Sequence, residues 1–256
     1  MKIVKIPFNG GSLGKNIGTE KAPDKIIEKL KENYVNFYVN ENKRGVNFEV
    51  LNVKLNTSNF DVLQDELMHL EGDIFIGGDH SITYGLVKGL NGEKGLIIFD
   101  AHPDCEVPTN SITHEDYLRK LIEDEVIDAR NIILIGLRDY TKVELEFLER
   151  NKVNCYFMKN LFENDIKEVC DDIMEIANRF GSLYISVDID AVDCAFAPGT
   201  GYPSPCGLTS RELIYFLQRL KLLKNLRRVD LVEINPDKDV NEMTIILGAK
   251  IIAELL

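Results

Sequence analysis

The chain has 256 residues, 45% of them apolar, with 42 acidic against 30 basic side chains and a formal net charge of −12. That apolar fraction can bury a core and rules out wholesale disorder, while the negative charge argues against nucleic acid or an anionic membrane as partner. No apolar run is long enough to span a membrane, the first residues lack a signal-peptide core, and five cysteines at irregular spacings support neither a zinc knuckle nor a disulfide framework, so the expected home is a reducing cytoplasm.

Short β-branched runs alternate with longer amphipathic ones along the chain. Strands are predicted at Lys2–Pro7, Phe48–Val53, Asp73–Ile76, Gly95–Phe99, Asn131–Gly136, Val153–Met158, Leu183–Asp188 and Arg228–Glu233. Several, such as Leu96–Phe99 and Ile132–Ile135, are apolar on both faces, as a parallel strand covered by helices on each side requires. Helices are predicted from Ala22 to about Asn33, then at Val62–Leu70, Ile82–Leu90, Glu115–Glu123, Val143–Asn151, Asp165–Phe180, Ser210–Leu223 and Glu242–Leu255. Pro23 suits a first helical turn, and Thr209 with Glu212 reads as a capping box. The alternation predicts a single α/β domain over residues 1–256, with a mainly parallel sheet between two helical layers. The longest irregular stretch, Cys194 to Leu208, is rich in Gly and Pro and expected to be functional.

In such sheets ligands bind beyond the carboxyl ends of the strands. Gly77-Gly78-Asp79-His80-Ser81 follows one strand, and Asp100-Ala101-His102-Pro103-Asp104 follows the next. Asp188-Ile189-Asp190 and Asp193 follow a third, and Glu233-Ile234-Asn235-Pro236 a fourth. Residues two apart in extended backbone point the same way, so Asp100, His102 and Asp104 can aim at one point, as can Asp188 and Asp190. Charges ending apolar strands are costly unless neutralised, and two imidazoles with four carboxylates would suit two divalent cations. Hard oxygen plus nitrogen donors, without paired thiolates, favour manganese. A lone strand-end Asp is ordinarily a turn residue and a lone His an ordinary packed one, which is the reading given to His69. Three of the four histidines, however, lie in or just after these clusters.

Other candidates are weaker. Gly10-Gly11-Ser12-Leu13-Gly14-Lys15 is one residue short of a phosphate-loop spacing, and Asn16 stands where a Ser or Thr is needed, so it reads as a plain loop. Ser81 and Ser186 sit in no nucleophile motif and are read as polar packing.

Taken in order, the segments at 77–81, 100–104 and 186–193 resemble the hallmarks of the ureohydrolase (arginase/agmatinase) family. Ala197–Pro203, Gly207–Thr209, Glu233–Pro236, Asp239 and Thr244 also fit, as do Pro7–Gly10, Gly18 and Pro23 near the start. The resemblance spans essentially the whole chain. It implies an eight-stranded parallel sheet, assembly as trimers or hexamers, and two Mn2+ per subunit that activate water for attack on a guanidinium carbon. By motif position His80 and Asp104 would hold one ion, His102 and Asp190 the other, and Asp100 and Asp188 would bridge them. Asp104 would also accept a hydrogen bond from the attacking water, and Glu233 would pair with the substrate guanidinium. His114 would be the proton shuttle, titrating near neutrality, and the products would be urea and an amine.

The chain departs from the family pattern at Cys194 (generally proline), Cys206 (glycine) and Tyr202 (commonly threonine), and it lacks the glycine usual after His114. None of these removes a metal ligand. Where arginases generally carry an asparagine for the α-carboxylate, this chain has Glu106, which would repel one. Asp139 is a second candidate substrate contact, and Val107–Ser111 offers replacement hydrogen bonds. The expectation is a substrate with an uncharged or cationic tail, agmatine first. Arginine, guanidinobutyrate and formiminoglutamate are the alternatives, besides a metal-binding homologue without turnover or an amide hydrolase on the same fold.

Overall fold

A computed structural model describes residues 1–56, 59–108 and 111–256. All eight predicted strands form: β1 Lys2–Lys5, β2 Glu49–Leu51, β3 Ile74–Ile76, β4 Lys94–Phe99, β5 Ile132–Leu137, β6 Asn154–Phe157, β7 Ser182–Asp188 and β8 Leu226–Val232. They make one sheet in the order β2-β1-β3-β8-β7-β4-β5-β6. Every neighbouring pair is parallel.

The helices are α1 Ala22–Leu30, α2 Phe60–Met68, α3 Ile82–Lys88, α4 Tyr117–Glu123, α5 Lys142–Asn151, α6 Met158–Glu163, α7 Ile166–Ala177, α8 Ser210–Leu220 and α9 Met243–Leu255. Alternate strand residues feed two separate cores, because successive side chains leave a strand on opposite faces. Ile97, Phe99, Ile185 and Val187 join α1, α7, α8 and α9 on one face. Leu96, Ile98 and Tyr184 join α2, α3, α4 and α5 on the other. The central strands are covered twice, which is why β4 is apolar from Leu96 to Phe99 and β5 is buried throughout.

The expected capping box forms at the start of α8: Thr209 accepts from the Glu212 N–H while Glu212 reaches back to the Thr209 N–H. The strand expected through Met158 stops at Phe157, and Met158 opens the unforeseen α6, whose six residues are too few to show a helical period. The helix expected to reach Asn33 ends as α-helix at Leu30 and continues as one wider turn over Lys31–Val35. No helix among the described residues is long and apolar enough to cross a membrane.

The sheet order decides where the site lies. β3, β8, β7 and β4 are consecutive in the sheet. The four segments that end in His, Asp and Glu therefore leave from its middle and converge at one edge.

Candidate metal centre

His80 lies in the short link between β3 and α3 and is fully buried. The link folds tightly over the loop after β1: a Cβ on Gly78 would sit 1.8 Å from the Phe8 carbonyl oxygen, so this close approach admits only glycine. Asp100 and His102 follow β4, with the His102 N–H donating to Asp100 Oδ1 at 2.7 Å. Asp104 then takes a left-handed turn, φ 49°. Asp188 ends β7 and accepts from the Asp190 N–H at 2.9 Å, while Asp190 accepts from the Ala101 N–H at 3.1 Å. These bonds tie the two strand ends together and aim the carboxylates.

The six expected side chains come together in two groups. His80 Nδ1 stands 3.2 Å from Asp100 Oδ2, 3.1 Å from Asp104 Oδ2 and 3.2 Å from Asp188 Oδ2. His102 Nδ1 stands 3.1 Å from Asp190 Oδ2 and 3.5 Å from Asp100 Oδ1. Among the described residues, His80-Asp100-Asp188 and Asp100-His102-Asp190 each offer ligand atoms within 4.8 Å of one another. Asp100 faces both imidazoles, as a bridge would. Asp188, the other expected bridge, stands against His80. His69 sits at the C-terminal end of α2 and belongs to neither group.

The electrostatics call for cations. Burial raises the pKa of Asp188, and Asp190 and Asp100 raise it further. Asp104 is likewise pushed up to about 7, by burial and by Asp100. Burial also acts against a charged His80, but Tyr117 and the surrounding carboxylates outweigh it and raise its pKa. Two imidazoles, even if both protonated, cannot balance four carboxylates.

Hydrogen bonding points the same way. His80 Nδ1 and Asp100 Oδ2 are buried with no hydrogen-bond partner, a costly state unless something fills the space between them. The far nitrogen of His80 is well held: Nε2 lies 2.8 Å from Ser186 Oγ and 2.9 Å from the Tyr117 hydroxyl. Ser186 donates its own proton to Asp230 Oδ1 at 2.6 Å, so its oxygen accepts from His80 Nε2–H. That assigns one proton to Nε2 and leaves Nδ1, aimed at three carboxylates, as the nitrogen whose proton a metal would replace. Asp230 is itself fully buried and also accepts from the Thr83 and Tyr184 hydroxyls, at 2.7 and 2.8 Å. Asp230 and Tyr117 escaped the sequence reading, although a charge inside the apolar run Val229–Val232 was a visible signal for the first.

Glu233 stands just past β8 with φ 63°. Its Oε1 accepts from the His80 N–H at 2.7 Å and lies 3.1 Å from His114 Nδ1. Its Oε2 accepts from Asn16 Nδ2 at 2.5 Å. Burial works against the charge, but these partners outweigh it and hold the carboxyl below its usual range. His114 differs from the expectation of a near-neutral titration. Burial disfavours its charged form, yet the hydrogen bond to Glu233 prevails and lifts it to about 9.

A cavity of about 410 Å³ opens over the centre, lined by His102, Asp104, His114 and Glu233 below and by Glu106, Asp139, Tyr140 and Tyr202 toward the outside. The two further substrate candidates thus face the same space as the metal-ligand candidates. Ser81 and Ser186 do not line it; they bond to Asp79 and Asp230. Of the Val107–Ser111 stretch, Thr109 and Asn110 lie outside the described residues.

Comparison with known proteins gives the family and the fold. The family model described as "Arginase family" matches residues 1–256. An arginase of Schizosaccharomyces pombe is 29% identical over 100% of this chain and 91% of its own length. A guanidinopropionase of Pseudomonas aeruginosa is 31% identical over 76% of this chain and 66% of its own. The crystal structure of an agmatine ureohydrolase of Thermoplasma volcanium superposes with a TM-score of 0.86 at 27% identity, covering 99% of this chain and 89% of that one.

Proposed function

Because the chain belongs to the arginase family and is thereby a hydrolase of guanidino compounds, we propose that its substrate is agmatine and its metal a pair of manganese ions. The observation that carries the substrate is the outer wall of the cavity. Glu106 and Asp139 line it, and no Lys or Arg does among the described lining residues. Agmatine is arginine without its carboxylate and keeps a primary ammonium at the far end. An ammonium complements that wall, whereas the carboxylate of arginine, guanidinopropionate or formiminoglutamate meets like charge. Tyr140 and Tyr202 offer apolar surface for the methylenes between the two ends.

His80, Asp100, Asp104 and Asp188 would hold one ion, and His102, Asp190 and the shared Asp100 the other. Hard oxygen and imidazole donors without thiolate suit manganese. Such a pair, when bound, supplies a water acidic enough to act as a nucleophile at neutral pH. The chain's own residues do the rest. Glu233, held as an anion, takes the guanidinium and fixes its plane. Asp104, low in the cavity, can orient the attacking water through its carboxylate. His114, an imidazolium at neutral pH, can give its proton to the departing amine nitrogen. The balanced reaction turns agmatine and water into urea and butane-1,4-diamine.

The test is turnover of agmatine against arginine, guanidinopropionate and formiminoglutamate on manganese-loaded protein. A clear preference for any carboxylate-bearing compound refutes the assignment.

A further inference from the structure

The loop from Gly10 to Asn16, which lacks the spacing of a phosphate loop, ends in a side chain with a different task. Asn16 is fully buried, and its amide nitrogen donates to Glu233 Oε2 at 2.5 Å and, more distantly, to the Glu233 carbonyl at 3.4 Å. Its amide oxygen accepts from Asn235 Nδ2 at 2.6 Å. Asn235, also fully buried, donates from the same nitrogen to the Ile17 carbonyl at 2.9 Å, and its oxygen accepts from the Asp237 N–H at 3.0 Å.

These bonds run in one direction. The Asp237 backbone can only donate, so the Asn235 oxygen must face it. The Asn235 nitrogen must then face Ile17 and Asn16, and the Asn16 nitrogen must face Glu233. Neither amide can flip without setting two like partners against each other. The packing leaves no slack: a Cβ on Gly18, at φ +116°, would lie 2.6 Å from Asn235 Oδ1.

We propose that Asn16 is a positioning residue for the guanidinium carboxylate: with its orientation set by Asn235, it fixes the rotation of the Glu233 carboxylate by holding Oε2. His80 N–H pins Oε1, so the two donors together define the carboxylate plane that a planar guanidinium must meet. The inference rests on the reading of Glu233 as the guanidinium partner.

The experiment compares manganese-loaded wild type with Asn16→Ala, Asn16→Asp and Asn235→Asp, using the guanidino compound the wild type turns over fastest. KM, kcat, manganese content per chain and thermal melting are measured on the same samples. All three variants are expected to raise KM roughly tenfold to a hundredfold, with a smaller fall in kcat and unchanged manganese content. Asn235→Asp is the sharper case, because it would turn the Asn16 amide around without touching the Glu233 carboxylate. It also carries the test if Asn16→Ala does not fold. A KM within about twofold of wild type in the folded variants overturns the inference, as does a loss of kcat or of melting temperature with KM unchanged. Glu233→Gln is run alongside. If it too leaves KM unchanged, the guanidinium reading of Glu233 has failed; if it alone loses binding, only the role of Asn16 has.

Discussion

Ser186 donates its hydroxyl proton to Asp230 across 2.6 Å, and that single bond decides which nitrogen of His80 is free. The serine oxygen can then only accept from His80 Nε2–H, so Nδ1 is the nitrogen left to take a cation in place of a proton. Asp230→Asn and Ser186→Ala should each weaken binding of the first manganese about tenfold to a hundredfold. Titration of the metal-free protein with manganese checks this. Wild-type affinity in both variants would show that the chain from Asp230 does not orient the ligand.

Replacing Glu233 by Gln keeps the shape and removes the charge. Hydrolysis of guanidino compounds should fall by roughly a hundredfold to a thousandfold while both metals stay bound. Steady-state urea release with metal analysis of the same sample measures both quantities. Undiminished urea release would show that Glu233 does not pair with the guanidinium.

The outer wall should set selectivity. Glu106→Gln and Asp139→Asn are expected to raise the KM for agmatine about tenfold each, and Glu106→Asn should narrow the gap between agmatine and arginine. The ratio of kcat/KM for the two substrates is the readout. A ratio that does not move in any of the three would remove the basis for assigning an ammonium to this wall.

The pairing of His114 with Glu233 predicts a pH dependence of stability in the metal-free protein. The His114 pKa is raised from 6.5 to about 9. Its contribution is therefore complete below about 6.5 and is lost as pH rises through about 9. Glu233 is lowered, so its share is present above its ordinary value of 4.5 and is lost on acidification. The melting temperature of metal-free wild type should exceed that of His114→Asn by several degrees near pH 6, and the difference should shrink toward pH 9.5. A gap that widens as pH rises would contradict the pairing.

Burial should also sort the thiols. It pushes Cys155 up to about 12 and Cys170 up to about 11, and Cys105 higher still. Cys206 is exposed. A thiol reagent at pH 8 should label Cys206 first and spare Cys105, Cys155 and Cys170 until the chain unfolds. Early modification of Cys105 would show that the segment carrying Asp104 opens in the native state.

The convergence of the candidate ligands was legible because each donor cluster is local to one strand end, where a run of apolar residues gives way to Asp and His within three to five positions. What was not legible depends on contacts across the chain. Asn16 meets Glu233 over a separation of 217 residues, and Tyr117 meets His80 over 37. No spacing rule connects such pairs. The expectation for His114 missed for the same reason, since its pKa is set by a carboxylate 119 residues away.

The four converging strands are the innermost of the sheet, each flanked on both sides and covered above and below. Interior strands are the part of such a protein that opens last. Donors carried there keep their spacing through local fraying of β2 or β6, so a bound metal ion should be able to leave and return while the surrounding scaffold stays intact. Chelation should then be reversible without refolding.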